Sequence, residues 1–127
     1  MEEKYKGNCH CKAIYFEFYC SNVVDLIKCN CSICNHTKFL HLIVPHRKFN
    51  LLKGKELLVT YMFNTKLAKH FFCSVCGIKS FYQPRSHQDS FSINFHSILS
   101  PPKINKVIAF DGKNFEKNLK DIRGIDH

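Results

Sequence analysis

The chain has 127 residues, 45% of them hydrophobic and 13% aromatic, values that exclude a disordered or fibrous protein and suit one domain with one core. No apolar run approaches the roughly 18 residues of a membrane span, and the charged opening MEEKYKGNCH lacks a leader's apolar stretch, so the expectation is one cytoplasmic domain over residues 1–127 with no membrane partner. Nineteen Lys and Arg oppose ten Asp and Glu for a net charge of +9, and from Leu26 to Gln88 ten bases face the single acid Glu56.

Most segments predict short strands rich in β-branched and aromatic residues. Lys12–Phe18 alternates, with Ile14, Phe16 and Phe18 on one face and Ala13, Tyr15 and Glu17 on the other. Val23–Lys28 leads directly into Cys29, and Phe39–Val44 is a strand stopped by Pro45. Leu57–Phe63 and Lys66–Phe72 read as a hairpin turning at Asn64-Thr65. Lys79–Gln83 ends at Pro84; Phe91–Phe95 and Lys106–Phe110 follow, with Pro101-Pro102 in the loop between them. Only Asn114–Lys120, after Asp111-Gly112, has a helical pattern, and the polar end over 121–127 is expected to fray. The fold class is therefore mainly β: small antiparallel sheets with little helix, the cysteines at strand ends and turns.

Eight cysteines are the outlier: Cys9, Cys11, Cys20, Cys29, Cys31, Cys34, Cys73 and Cys76. Seven fall in C-x-C, C-x-C-x2-C and C-x2-C clusters, which suit thiolates converging on one ion better than bridges between distant segments. Sulfurs three residues apart reach one ion where the backbone turns around it. Phe72-Cys73-Ser74-Val75-Cys76-Gly77 has that form, with Gly77 free to take the left-handed conformation of such a turn. Spacing leaves two partitions open. In one, Cys31, Cys34, Cys73 and Cys76 make a zinc ribbon, and Cys9, Cys11 and Cys29 stand outside it. In the other, Cys9, Cys11, Cys73 and Cys76 make a closed four-sulfur site, and Cys29, Cys31 and Cys34 a three-sulfur site with one open position. Closed sites are structural, whereas an open one takes water or a substrate thiol. Zinc at both would lower the net charge of +9 to about +6. The basic window that remains suits a solvated surface or an anionic ligand drawn toward the cysteines.

Gly7-Asn8-Cys9-His10-Cys11, Cys29-Asn30-Cys31-Ser32-Ile33-Cys34 and Phe72-Cys73-Ser74-Val75-Cys76-Gly77 resemble the three motifs of the glutathione-dependent formaldehyde-activating enzyme family (the GFA domain), to which centromere protein V also belongs. Phe63-Asn64-Thr65, Ser80-Phe81-Tyr82-Gln83-Pro84-Arg85-Ser86 and Phe110-Asp111-Gly112-Lys113-Asn114-Phe115-Glu116 extend the likeness over about residues 7–116. The resemblance implies the second partition, with two zinc ions per chain: a structural one on Cys9, Cys11, Cys73 and Cys76, and a catalytic one on Cys29, Cys31 and Cys34. It implies a β-tent fold of small antiparallel sheets stapled by zinc. It also implies a carbon–sulfur lyase that interconverts S-hydroxymethylglutathione with formaldehyde and glutathione. The chain departs from the family at Phe115, where tryptophan is usual, and at Ser97-Ile98-Leu99, where relatives often have Cys-Leu-Asp. Those departures bear on the substrate pocket and leave both ligand sets intact.

A three-thiolate zinc is a poor Lewis acid but well suited to holding a fourth thiolate. The partner expected is accordingly a small-molecule thiol, glutathione or its aldehyde adduct, whose negative charge matches the basic window. The alternative is a non-catalytic zinc module related to centromere protein V that binds nucleic acid or another protein, although no basic run or tail supports it. Oxidation of Cys29, Cys31 and Cys34 after metal loss is a third chemistry these residues allow. Among other candidates, Cys20 reads as a small buried apolar side chain. His10 is expected to point away from the ligands on either side of it. His96 is either a packed or surface histidine or a general base. Arg85 reads equally as a solvated strand end or a bidentate clamp for a carboxylate.

Overall fold

The computed structural model describes residues 2–122, 124 and 125. Eleven strands are present: β1 (Glu2–Asn8), β2 (Tyr15–Ser21), β3 (Val23–Cys29), β4 (Leu40–Pro45), β5 (Phe49–Lys53), β6 (Leu58–Tyr61), β7 (Lys69–Cys73), β8 (Phe81–Gln83), β9 (Ser90–Asn94), β10 (Ile98–Leu99) and β11 (Lys103–Phe110). Two short helices accompany them, α1 (Ser32–Thr37) and α2 (Phe115–Asn118), with brief 3-10 turns between strands. A four-stranded sheet has the order β10-β1-β2-β5, and a seven-stranded sheet the order β11-β3-β4-β9-β8-β7-β6. The expectation of a mainly β protein of small sheets is met. Among the described residues, neighbouring strands run antiparallel except β11 and β3, which pair in parallel. No helix among the described residues is long and apolar enough to cross a membrane.

Alternation builds the four-stranded sheet. On β2, Phe16, Phe18 and Cys20 are fully buried while Glu17 and Tyr19 face outward, and β1 pairs with it in register, Tyr5 opposite Phe18 and Gly7 opposite Phe16. These side chains meet Val24 and Leu26 of β3, Leu42 and Val44 of β4, Phe81 of β8 and Ile93 of β9 in one core between the sheets. Phe81 is its aromatic hinge, with ring centroids 4.7 Å from Phe49, 5.4 Å from Phe91 and 5.5 Å from Phe16. The large sheet is covered on its other face too. Ile27 and Ile43, next in sequence to core residues, point into a second cluster with Phe110 and Ile122, against which Phe115 and Leu119 pack. A strand buried on both faces reads as a continuous apolar run, which is why Leu26-Ile27 and Leu42-Ile43-Val44 do not alternate.

The structure departs from the sequence expectation in particular places. β1, β5, β10 and α1 were not expected. The first hides its period-2 burial behind Glu2, Glu3, Lys4 and Lys6. Pro45 closes β4 from inside, paired with Ser90, instead of stopping the strand before it. The Asn64-Thr65 turn forms, with the Lys66 N–H donating to the Phe63 carbonyl at 3.0 Å. The strands around it are shorter than expected, however, ending at Tyr61 and resuming at Lys69. Of the end expected to fray, residues 123, 126 and 127 lie outside the described residues, while Ile122 is buried in the second cluster.

Candidate metal centres and the adjoining cavity

None of the eight cysteines is disulfide-bonded. Cys9, Cys11, Cys73 and Cys76 converge, all four sulfurs lying within 4.8 Å of one another. The Cys9–Cys11 and Cys11–Cys73 separations are 3.6 Å each. A tetrahedral zinc with bonds of about 2.3 Å sets its sulfurs roughly 3.8 Å apart, so these residues fit that ion. Two turns deliver them. After β1, the Lys12 N–H donates to the Cys9 carbonyl at 3.0 Å and the Ile14 N–H to Cys9 Sγ at 3.4 Å. After β7, the Gly77 N–H donates to the Cys73 carbonyl at 2.8 Å and the Val75 N–H to Cys73 Sγ at 3.4 Å. Gly77 closes its turn at φ +76°, as its place in the sequence led one to expect. Backbone N–H donors aimed at sulfur favour thiolate over thiol. Because one turn belongs to each sheet, an ion here would join the two sheets at the ends of β1 and β7.

Cys29, Cys31 and Cys34 form a second cluster. Cys29 ends β3, Cys31 precedes α1, and Cys34 sits three residues on in its first turn, so the helix brings the last two onto one side. The Cys31 N–H donates to Cys29 Sγ at 3.4 Å. The chain after β11 braces this loop: Asn30 N–H donates to the Phe110 carbonyl at 3.3 Å, and Lys113 N–H to Asn30 Oδ1 at 3.2 Å. Gly112 approaches so closely that a Cβ there would lie 2.4 Å from Cys29 Sγ and 2.9 Å from Cys31 Cβ. Hydrogen bonds from the Cys29 and Cys34 thiols hold Cys31 far below the usual thiol range, while hydrogen bonding to Cys31 pushes Cys29 up and hydrogen bonding to Cys29 and then Cys31 pushes Cys34 up, with burial adding to both. The cluster thus already favours a thiolate. Three soft sulfur donors suit zinc and leave one tetrahedral position open. The ribbon of Cys31, Cys34, Cys73 and Cys76 is not formed; the two pairs belong to different clusters.

The three sulfurs border a cavity of about 360 Å³. Its apolar walls include Ile27, Ile43, Phe110, Phe115 and Ile122, and Phe63–Thr65 and Pro84–Ser86 also border it. Behind the sulfurs stands a polar group that the sequence did not reveal. His41 Nε2 is 3.3 Å from Cys34 Sγ, and its Nδ1 is 2.9 Å from Ser92 Oγ and 3.2 Å from the Tyr82 hydroxyl. Burial, helped by the charge of Lys79, pushes His41 down to about 3 and leaves the ring neutral. Burial also keeps the Tyr82 phenol protonated. With the Ser92 and Tyr82 hydroxyls both facing Nδ1, a ring proton on Nε2 would be directed at the Cys34 sulfur. His70 stacks on Tyr82 at 4.9 Å and is pushed down to about 4, first by burial and then by Lys79. Lys79 Nζ lies 2.9 Å from His70 Nδ1 and 3.9 Å from the centre of the Tyr82 ring. Burial lowers Lys79 to about 8 against the opposing pull of the sulfurs of Cys34, Cys31 and Cys29. No carboxylate pairs with Lys79 among the described residues. The signal in the sequence was a histidine or lysine inside a strand-like apolar run, at Phe39-Leu40-His41 and Lys79-Ser80-Phe81.

The remaining candidates fall as follows. His10 is exposed and outside the sulfur cluster. Cys20 is fully buried, donates to the Ser21 carbonyl at 3.3 Å, and is pushed up to about 12 by burial, as befits an apolar side chain. His96 is exposed and borders a groove on the far side of Cys29 and Cys34, outside the cavity. Arg85 does line the cavity, with its guanidinium over the Phe115 ring and paired with Glu116.

The comparisons with known proteins agree with this architecture. A solved protein from Rhodobacter sphaeroides is similar at 32% identity, with a TM-score of 0.69 over 75% of this chain and 87% of its own. The family model described as glutathione-dependent formaldehyde-activating enzyme matches residues 4–110, a span that holds both cysteine clusters and most of the cavity. The chain belongs to the glutathione-dependent formaldehyde-activating enzyme family.

Proposed function

We propose that the protein is a carbon–sulfur lyase that acts on glutathione–aldehyde adducts of the S-hydroxymethylglutathione class. In this reading Cys9, Cys11, Cys73 and Cys76 hold a structural zinc, and Cys29, Cys31 and Cys34 a catalytic one. The observation that carries it is the pairing of a cluster with only three sulfurs and an apolar cavity that opens beside it. When bound there, zinc supplies a vacant position for a fourth sulfur and stabilises that sulfur as a thiolate. The chain's own residues supply the rest. Apolar walls at Ile27, Ile43 and Phe110 exclude water around the reacting carbon. His41 fixes Cys34 through Nε2, and Tyr82 and Ser92 fix His41.

In the cleavage direction the carbon–sulfur bond of the adduct breaks and its electron pair stays on sulfur. The hydroxyl proton leaves to water at the mouth, and the carbon–oxygen double bond of formaldehyde forms. Addition is the reverse, the thiolate attacking the carbonyl carbon held beside it. Positive charge at the cavity, from Arg85 and Lys113, favours an anionic thiol. The test is turnover of S-hydroxymethylglutathione by the zinc-loaded protein and its Cys31→Ser and Cys20→Ser variants. Loss is expected with Cys31→Ser alone; unchanged turnover in that variant would overturn the proposal.

A further inference from the structure

The ion pair between Arg85 and Glu116 takes no part in breaking the carbon–sulfur bond. Arg85 sits in the loop between β8 and β9 and is the one arginine among the described residues that lines the cavity. Its guanidinium carbon sits over the Phe115 ring, 3.7 Å from the ring centre. Phe115 is itself anchored edge-on against Phe110 at 5.9 Å. The guanidinium is therefore seated on an aromatic platform at the cavity wall, so less side-chain freedom is lost when its fork binds a ligand. No acidic side chain among the described residues lines the cavity. Glu116 reaches the guanidinium at Nη2, from a side chain that is 82% exposed, against 22% for Arg85. A half-solvated pair of this kind is weakly held, and the other N–H donors of the fork stay available.

We propose that Arg85 recognises the carboxylate of an acidic thiol ligand, and that Glu116 acts as an internal competitor for the same guanidinium. The proposal rests on the thiol reading of the cavity for its ligand class, and adds which residue reads the acid and what opposes it. Sulfur binds at the cysteine cluster and the carboxylate at the Arg85 wall, so one ligand is recognised at both ends. Arg85 is a specificity residue, separate from the groups that act on the reacting atoms.

The test is calorimetric binding of 3-mercaptopropionate and of 2-mercaptoethanol to the zinc-loaded protein, so that only one probe carries the acid. Glu116→Gln, an exposed change that leaves folding intact, is expected to tighten 3-mercaptopropionate about two- to fivefold and leave 2-mercaptoethanol unchanged. Arg85→Gln is expected to weaken the acidic thiol about ten- to a hundredfold with little effect on the neutral one. Arg85→Lys should recover part of that loss. In the Arg85→Gln background Glu116→Gln should do nothing. Equal weakening of both thiols by Arg85→Gln, or no response of the acidic thiol to Glu116→Gln, would overturn the proposal while leaving the thiol reading in place. Failure of both thiols to bind the wild type would contradict that reading, and this proposal with it.

Discussion

Replacing Gly112 with alanine sets a methyl group against the three-cysteine cluster, its three nearest atoms all belonging to Cys29 and Cys31. The added Cβ would lie 2.4 Å from Cys29 Sγ, 2.9 Å from Cys31 Cβ and 3.2 Å from the Cys31 nitrogen. Gly112 does not use the left-handed conformation, so alanine is allowed there by its backbone and the penalty is steric. A carbon and a sulfur rest at about 3.5–4 Å, so the Cys29 sulfur or its loop must shift by roughly 1 Å. Zinc sites tolerate about 0.2 Å in ligand distance, so a displacement of that size removes one of three ligands. The expected result is loss of at least about a hundredfold in zinc affinity at the three-sulfur site, at the upper end of what disturbing a ligand's surroundings costs. The four-sulfur site, on other turns, keeps its metal. Overpacking of this kind costs about 1–3 kcal/mol, enough to lower the thermal midpoint by several degrees without unfolding the chain. Competition with a chromophoric chelator, read as two release phases, separates the two sites. If Gly112→Ala releases both metals as the wild type does, the close approach of the 110–114 loop to Cys29 is not what shapes the site.

Other consequences follow from the same geometry. On the proposed two-zinc reading, Cys73→Ser should cost the four-sulfur site its ion and, because a structural zinc supplies on the order of 10 kcal/mol, abolish cooperative thermal unfolding, whereas Cys31→Ser should keep it. Tyr82→Phe removes one of the two hydroxyls that face His41 Nδ1, loosens the ring behind Cys34, and should weaken metal at the three-cysteine site about tenfold; a cobalt-substituted spectrum identical to the wild type would contradict this. His70 is held down to about 4 from an ordinary 6.5, so the unfolded chain binds the extra proton first. Stability from this group is full above about 6.5 and falls as pH drops toward 4, and urea midpoints across that range should slope less in His70→Gln.

The cysteine spacing marked three groups of ligands but left open how they combine, and the choice of the second combination came only with the family resemblance. Whether Cys73 and Cys76 join Cys9 and Cys11 or Cys31 and Cys34 depends on which strand ends meet. That is fixed by Phe16, Phe18 and Phe81 packing the sheets together, through contacts that no cysteine spacing encodes. Strands with a wet face, such as β2, announced themselves by alternation. β1 did not, because an outer face of Glu and Lys looks like a charged terminus. α1 was concealed because six residues carry too little periodicity, although the three-residue step from Cys31 to Cys34 is a helical turn. His41, His70, Tyr82 and Lys79 come from three different strand regions, and no local pattern marks residues that meet only when β4, β7 and β8 lie in one sheet. Arg85 was legible as a charge beside a proline, but its platform on Phe115 is a contact made across 30 residues of chain.

Native mass spectrometry of the zinc-loaded protein, with and without glutathione, tests most directly whether one of two metal centres is open to a thiol. Two zinc ions per chain are expected, with a glutathione adduct that disappears in Cys31→Ser while one zinc remains. One zinc per chain with no response to glutathione would contradict the open centre.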